Sequence, residues 1–239
     1  VQSDLRGGVD GSIVLVALAG DIVLADGSQG GDLGRAVVAG GAGCILIDAE
    51  SGNLTLDADV ISQTGHVTLK AGAGLDLGAG VQVATAGPGT VSLDAEGGAL
   101  TMSGTAGVTA AGGAARLHAQ EDIALGAVTA AQVSLVSQDG AIVSASGAGT
   151  HVTASNLRLE AQGDMGAADG HLRVDVDVVS ALSQTGGIYL TESDGVRVDD
   201  VGISVTEFNA DGGLAEVVDA IQSDLRGGVD GSIVLVALE

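Results

Sequence analysis

Apolar and polar residues alternate along most of this chain in short runs, and glycine, asparagine or aspartate separates one run from the next. One phrase recurs. It reads GCILIDA at 43–49, GHVTLKA at 65–71, GTVSLDA at 89–95, GAARLHA at 113–119, AQVSLVS at 131–137, SNLRLEA at 155–161 and GGIYLTE at 186–192. GSIVLVA, at 11–17 and again at 231–237, has the same form. The central apolar positions are Leu15, Ile47, Leu69, Leu93, Leu117, Leu135, Leu159, Leu190 and Leu235, mostly 22 or 24 residues apart with one interval of 18. Strict alternation within a phrase describes a strand with one buried and one wet side. The interval is too long for a hairpin and falls in the range of solenoid repeats.

Each period carries a second apolar beat, at Leu24, Leu56, Leu77, Met102, Leu125, Val143 and Val198. A third follows at Val37, Val83, Val108 and Val205. Three short strands per turn, joined at corners where glycine tolerates a sharp bend, describe a parallel β-helix with about 18 to 24 residues per turn. An antiparallel β-sandwich also uses short strands at ~8 to 12 residue spacing. Sandwiches lean on proline turns and aromatic cores; this chain has one proline, one tyrosine (Tyr189) and one phenylalanine (Phe208), which favours the β-helix.

The pattern changes between Gly170 and Asp230. HLRVDVDVVSALSQ is a longer alternation, followed by strands around Val196–Val198 and Ile203–Val205. Then Leu214, Val217, Val218, Ile221 and Leu225 fall at i, i+3, i+4, i+7 and i+11, which predicts one short α-helix near 212–226. Asp211 would be its N-cap and Gly227-Gly228 its stop.

Gln2 to Leu18 returns, residue for residue, from Gln222 to Leu238, 220 positions on. A solenoid fold needs only the right residue classes, so identity this complete points to duplication. The expected organisation is a single solenoid segment, with residues 1–220 as one period and 221–239 overlapping the next copy. The seam between periods is assigned to Leu214, Val217, Val218, Ile221, Leu225, Ile233 and Leu235, with Ile13 and Leu15 on the other side. Nine or ten coils at ~4.8 Å would give roughly 45 Å per period.

Composition narrows the function. Thirty-one acidic residues against eight basic ones give a net charge of −23. That disfavours nucleic acid and anionic membranes as partners and suits a soluble or cation-bridged surface. No run reaches the length of a membrane span. Cys44, the one cysteine, lies in an apolar run and is expected to be a buried small hydrophobe.

The stretch GHVTLKAGAGLDLGAGVQVATAGPGTVSLDAEGGALTMSG resembles the repeats of filamentous-haemagglutinin-like exported proteins and related giant bacterial surface proteins. The resemblance spans roughly residues 40 to 165, on the phrase G-x-[VI]-x-L-x-A followed by G-x-[LI]-x-L. It implies a right-handed parallel β-helix, extracellular or at the cell surface, acting as stalk, adhesin or fibre.

Carboxylate pairs occur at Asp57/Asp59, Asp175/Asp177, Glu192/Asp194 and Asp199/Asp200. Residues two apart share one side of a strand, so Asp175, Asp177, Asp199 and Asp200 are candidate Ca²⁺ ligands, although Ca²⁺ needs more oxygens than one pair supplies. The simpler reading is a solvated outer face with no cofactor. His66, His118, His151 and His171 show no metal-type spacing and are expected to face solvent singly. No nucleophile elbow or phosphate loop is present, so no enzyme and no small-molecule substrate are expected. The expected function is a structural repeat of an exported, self-associating fibre, whose partner is the neighbouring repeat. A haemagglutinin-like adhesin stalk is the alternative, and a polysaccharide-active enzyme ranks below both.

Overall fold

The computed structural model describes residues 4–27, 34–145 and 149–238. Among them are twenty-four strands and no helix. Every ladder is parallel except one, the hairpin of Val201–Phe208 with Leu214–Gln222. Parallel ladders exclude the sandwich and have the topology of a β-solenoid.

The chain winds through three rows in turn. Row one starts with Ile13–Ala17, Ile45–Ala49, Val67–Ala71 and Val91–Ala95. Row two runs from Ile22–Leu24 to Ile142–Ser144. Row three starts with Leu5–Val9, Arg35–Gly40, Asp59–Ser62 and Gln82–Thr85. From Gly107 onward, rows three and one merge into single long strands such as Gly107–Ala119 and Ala127–Ser137.

In-register stacking places like on like. Row one builds an inward column of Leu15, Ile47, Leu69, Leu93, Leu117, Leu135 and Leu159, then Ala181 and Leu225. Row two stacks Ile22, Leu54, Leu75, Leu100, Ile123, Ile142, Met165, Ile188 and Ile233. Row three stacks Leu5, Val37, Val60, Val83, Val108, Val128, Val152, Val174 and then Glu192. These columns form one continuous core, and each buried Leu or Ile contributes about 1.5–3 kcal/mol. Rows one and three each advance eight steps, which at ~4.8 Å gives roughly 40 Å. The expected nine or ten coils are therefore too many.

Backbone meets backbone at one corner. A Cβ on Gly43, Gly65, Gly89 or Gly113 would lie 2.1–2.4 Å from the carbonyl oxygen of the glycine one coil below. Only glycine lets the coils keep their spacing there.

Three expectations fail from Val143 onward. Leu190 and Leu235 repeat the phrase of row one, yet they stack on Leu172 in row three. Of the second-beat residues, Val143 points outward while Ile142 fills the column, and Val198 pairs in row one. The α-helix near 212–226 is absent: Leu214–Gln222 is a strand antiparallel to Val201–Phe208. Asp211 does not cap a helix but turns the hairpin, accepting the Gly213 amide at 2.8 Å, with Gly212 at φ +83°. A bulge between Asp219 and Gln222 reverses the alternation. Leu214, Val218 and Ile221 consequently face solvent, while Val217 packs on Val201, Ile203 and Val205. Helical spacing of these residues arises from a strand broken by a bulge, and their β-branched content suits the strand.

Replacing Gly89 with Ala is expected to cost about 1–3 kcal/mol through overpacking against backbone. Gly195→Ala, where nothing lies within 4 Å of the new Cβ, should be close to neutral. Urea denaturation of the two variants measures the contrast.

Candidate functional site: the strap and the repeat seam

The hairpin leaves the coil after Val198, runs back along the outside of row one as a strap, and returns to the coil at Leu225. Row one is built to receive it. Its outward positions on successive coils are Leu46, Thr68, Ser92, Arg116, Ser134, Arg158 and Ser180. The Phe208 amide donates to Thr68 Oγ1 at 2.9 Å, and Ser92 Oγ donates to Glu207 Oε1 at 2.8 Å. Lys70 Nζ meets Glu207 Oε2 at 2.7 Å. Arg116 Nε donates to Asp219 at 3.1 Å, and Arg158 Nε to the Ala220 carbonyl at 3.0 Å. Gln222 Nε2 donates to the Leu159 carbonyl at 2.9 Å. At the far end Phe208 packs on Cys44 and Leu46, with Val16 alongside, so Cys44 is the buried hydrophobe expected of it. Three of the eight cationic side chains of an acidic chain thus lie beneath the strap. Sequence reasoning missed them, although a cation or hydroxyl in the outward slot of consecutive phrases is the mark of a row meant to be covered.

The duplicated segment occupies the two ends of the coil. Among the described residues Leu5–Val9 and Ile13–Ala17 pair only toward the following coils, with Arg35–Gly40 and Ile45–Ala49. Leu225–Arg226 and Ile233–Ala237 pair only toward the preceding ones. Both copies make the same turn: Gly11 donates to the Gly8 carbonyl at 3.0 Å and Gly231 to Gly228 at 2.9 Å. Asp10 and Asp230 both adopt the left-handed region, at φ 60° and 68°, which aspartate tolerates. One rule governs the coil amides: the first inward residue of a strand donates to the carbonyl just before its partner on the next coil. Ile13 donates to Cys44 at 2.8 Å and Ile188 to Ser232 at 2.8 Å. By that rule the Ile233 amide, the copy of Ile13, points away from Ile188, to the side opposite its ladder partner. Of the nine seam residues named from the sequence, Leu225, Ile233, Leu235, Ile13 and Leu15 lie at these ends, and Leu214, Val217, Val218 and Ile221 belong to the strap.

Many carboxylates hold corners. Asp10, Asp21, Asp59, Asp122 and Asp164 each accept, at 2.6–2.8 Å, a backbone amide from the next coil. Of the four Ca²⁺ candidates only Asp175 joins a cluster, with Glu192 and Asp194 and not with Asp177; the ligand atoms lie within 4.8 Å of one another. Glu192 is fully buried in the row-three column, and its oxygens accept the amides of Val176 at 3.2 Å and Asp194 at 2.9 Å. Asp199 pairs with Arg197 at 3.1 Å and accepts the Asp200 amide.

The histidines do not all face solvent, as His118 and His151 are buried. Coil stacking sets His66 beside Thr90 and His118 beside Asp94, with His171 beside Thr191, at 2.6–2.9 Å. A cleft of about 550 Å³ is lined by Ser144, His151, His171, Arg173, Thr191 and Glu192 among others. His151 Nε2 lies 2.7 Å from Ser144 Oγ, but His151 Nδ1 accepts the Arg173 amide at 2.9 Å. In the neutral ring this puts the proton on Nε2. His151 then donates to Ser144 and does not deprotonate it.

Asp48, Lys70 and Asp94 stack on successive strands of row one, and charge crowds there. Burial pushes the Asp48 carboxyl up; Lys70 opposes the shift and Glu50 adds to it. Burial also raises Glu96, reinforced by Asp94. For Lys70, burial works against the ammonium, but the hydrogen bond to Glu207 and the surrounding carboxylates outweigh it and raise the pKa.

Comparison with family models, with curated proteins and with solved structures finds no match for this chain.

The raised carboxyls fix a sign. A native state that holds protons more tightly than the unfolded chain gains stability as pH falls through the raised values, and the gain is complete below the unfolded values of 3.8 for Asp48 and 4.5 for Glu96. The melting temperature is expected to rise as pH falls toward these unfolded values, and the double variant Asp48→Asn/Glu96→Gln should flatten that slope in calorimetric scans.

Proposed function

We propose that this chain is the structural repeat unit of an exported, self-associating bacterial surface fibre, in which right-handed β-solenoid repeats stack end to end. The observation that carries the reading is the duplicated segment. The same seventeen residues supply the first strands of the coil and its last, each with one paired edge and one edge turned to a further coil. A following repeat would lay its copy of Ile45–Ala49 on Ile233–Ala237, as Ile45–Ala49 lies on Ile13–Ala17 here. Right-handed winding follows from the general preference of parallel β crossovers. Export rests on the resemblance to haemagglutinin repeats. A non-catalytic role is supported by the proton position on His151 and by carboxylates engaged with backbone amides. In such a stack, stability is close to a sum over repeats and neighbours, and each open edge is covered by the next unit.

Proteins carrying one, two and three periods test this. The longest dimension in small-angle scattering is expected to grow by roughly 40 Å per period, with a melting temperature that rises as periods are added. Periods that scatter as independent, flexibly joined bodies would overturn the proposal.

A further inference from the structure

The two copies of the duplicated segment do not occupy the same side of the coil. Leu5 heads the row-three column and stacks on Val37. Leu225, its copy, closes the row-one column on Ala181. Ile13 belongs to row one, stacked on Ile45, whereas its copy Ile233 belongs to row two, stacked on Ile188. Both displacements have the same direction: row three goes to row one, and row one to row two.

From these registers we infer that successive repeats join with a shift of one row, so that each repeat is turned by about a third of a turn about the fibre axis relative to the one before it. The inference rests on the end-to-end stacking proposed above. One period contains eight coils and one further row. Row three of the second repeat continues row one of the first, and row one of the second continues row two of the first. The shift becomes visible in the last coil, where Leu225 joins row one and Ile233 joins row two. The passage between the row-two and row-three columns varies along the coil: five residues from Ile123 to Val128, ten from Ile142 to Val152 and nine from Met165 to Val174. The last spends four, from Ile188 to Glu192, and Glu192–Asp194 tie that tight passage with the two amide bonds already described. The strap then divides row one between Arg197–Val198 and Leu225–Arg226.

The consequence is spatial. Each strap covers row one of its own repeat, so straps advance to a new side at every repeat and return to the first side after three repeats, about 120 Å along the axis. Their exposed Leu214, Val218 and Ile221 are then presented all around the fibre and not along one edge. The copy of Val16 makes the same point locally. Val16 lies under Phe208, while Val236 is 39 % exposed and would be covered by the tip of the following repeat's strap.

Thiol pairs in this chain, in a Cys44→Ala background, read the row of each copy. Arg6→Cys with Val38→Cys places the first copy on row three, and Leu182→Cys with Arg226→Cys places the second on row one, since both pairs are ladder partners. Ser193→Cys with Arg226→Cys reports the unshifted join, in which Leu225 would follow Glu192. Under mild oxidation, complete loss of free thiol is expected in the first two pairs, with both thiols retained in the third. Closure of 193/226 without 182/226 overturns the row shift while leaving straight end-to-end stacking intact. Closure of 6/38 with neither 226 pair also overturns it, because the first pair shows that thiols at this spacing do close. The scattering series above tests stacking itself, so the two failures are distinguishable.

Discussion

Everything in this molecule depends on each coil satisfying the backbone of the coil beside it. A parallel ladder has no internal partner for its outer edge, and the amides and carbonyls of one strand are met only by the next strand in the stack. This requirement explains why Leu lies on Leu in row one and Val on Val in row three: a register that pairs backbones also pairs side chains. The same requirement demands glycine at the corner where Gly43, Gly65, Gly89 and Gly113 approach backbone to backbone. Corner aspartates serve it as well, since they accept the amides that a turn leaves outside the ladder. A chain with few aromatic residues is stable on this plan because the core is narrow and the same small aliphatic layer is repeated.

The strap is the exception to coil geometry. It sets an antiparallel hairpin across the outside of row one and covers polar slots that would otherwise meet water. Ion pairs from Lys70 and Arg116 fix its position, and Phe208 anchors its far end. Much of the chain's scarce positive charge is used to hold an acidic hairpin on an acidic coil. Burying these charges is tolerable because each has a partner of opposite sign with hydrogen-bond geometry.

The coil was legible in the sequence as far as Leu159, since one phrase recurs there at nearly constant length and each inward residue has a like partner one period away. Legibility was lost where residue type and position stop agreeing. Leu190 carries the row-one phrase but stacks on Leu172, because its strand Ile188–Glu192 runs from the row-two column to the row-three column. Leu214, Val218 and Ile221 mimic a helical face because a bulge interrupts the strand that holds them. The acidic pairs were read as an outer face or metal ligands; Asp59 and Glu192 instead accept amides from a neighbouring coil, contacts that have no signature in local sequence. The duplication was plain, but only the ladders reveal that its two copies lie on different rows.

The most direct measurement of the central claim is hydrogen exchange at the amide of Ile233, with Leu235 and Ala237 alongside it. Among the described residues no strand pairs with the outer edge of Ile233–Ala237, whereas the corresponding Ile13 amide is bonded to Cys44. Lengthening the chain by a further period is expected to slow exchange at Ile233 to the level seen at Ile13. Exchange that remains as fast in the longer chain would contradict the account, because it would mean that the second copy does not receive the next coil.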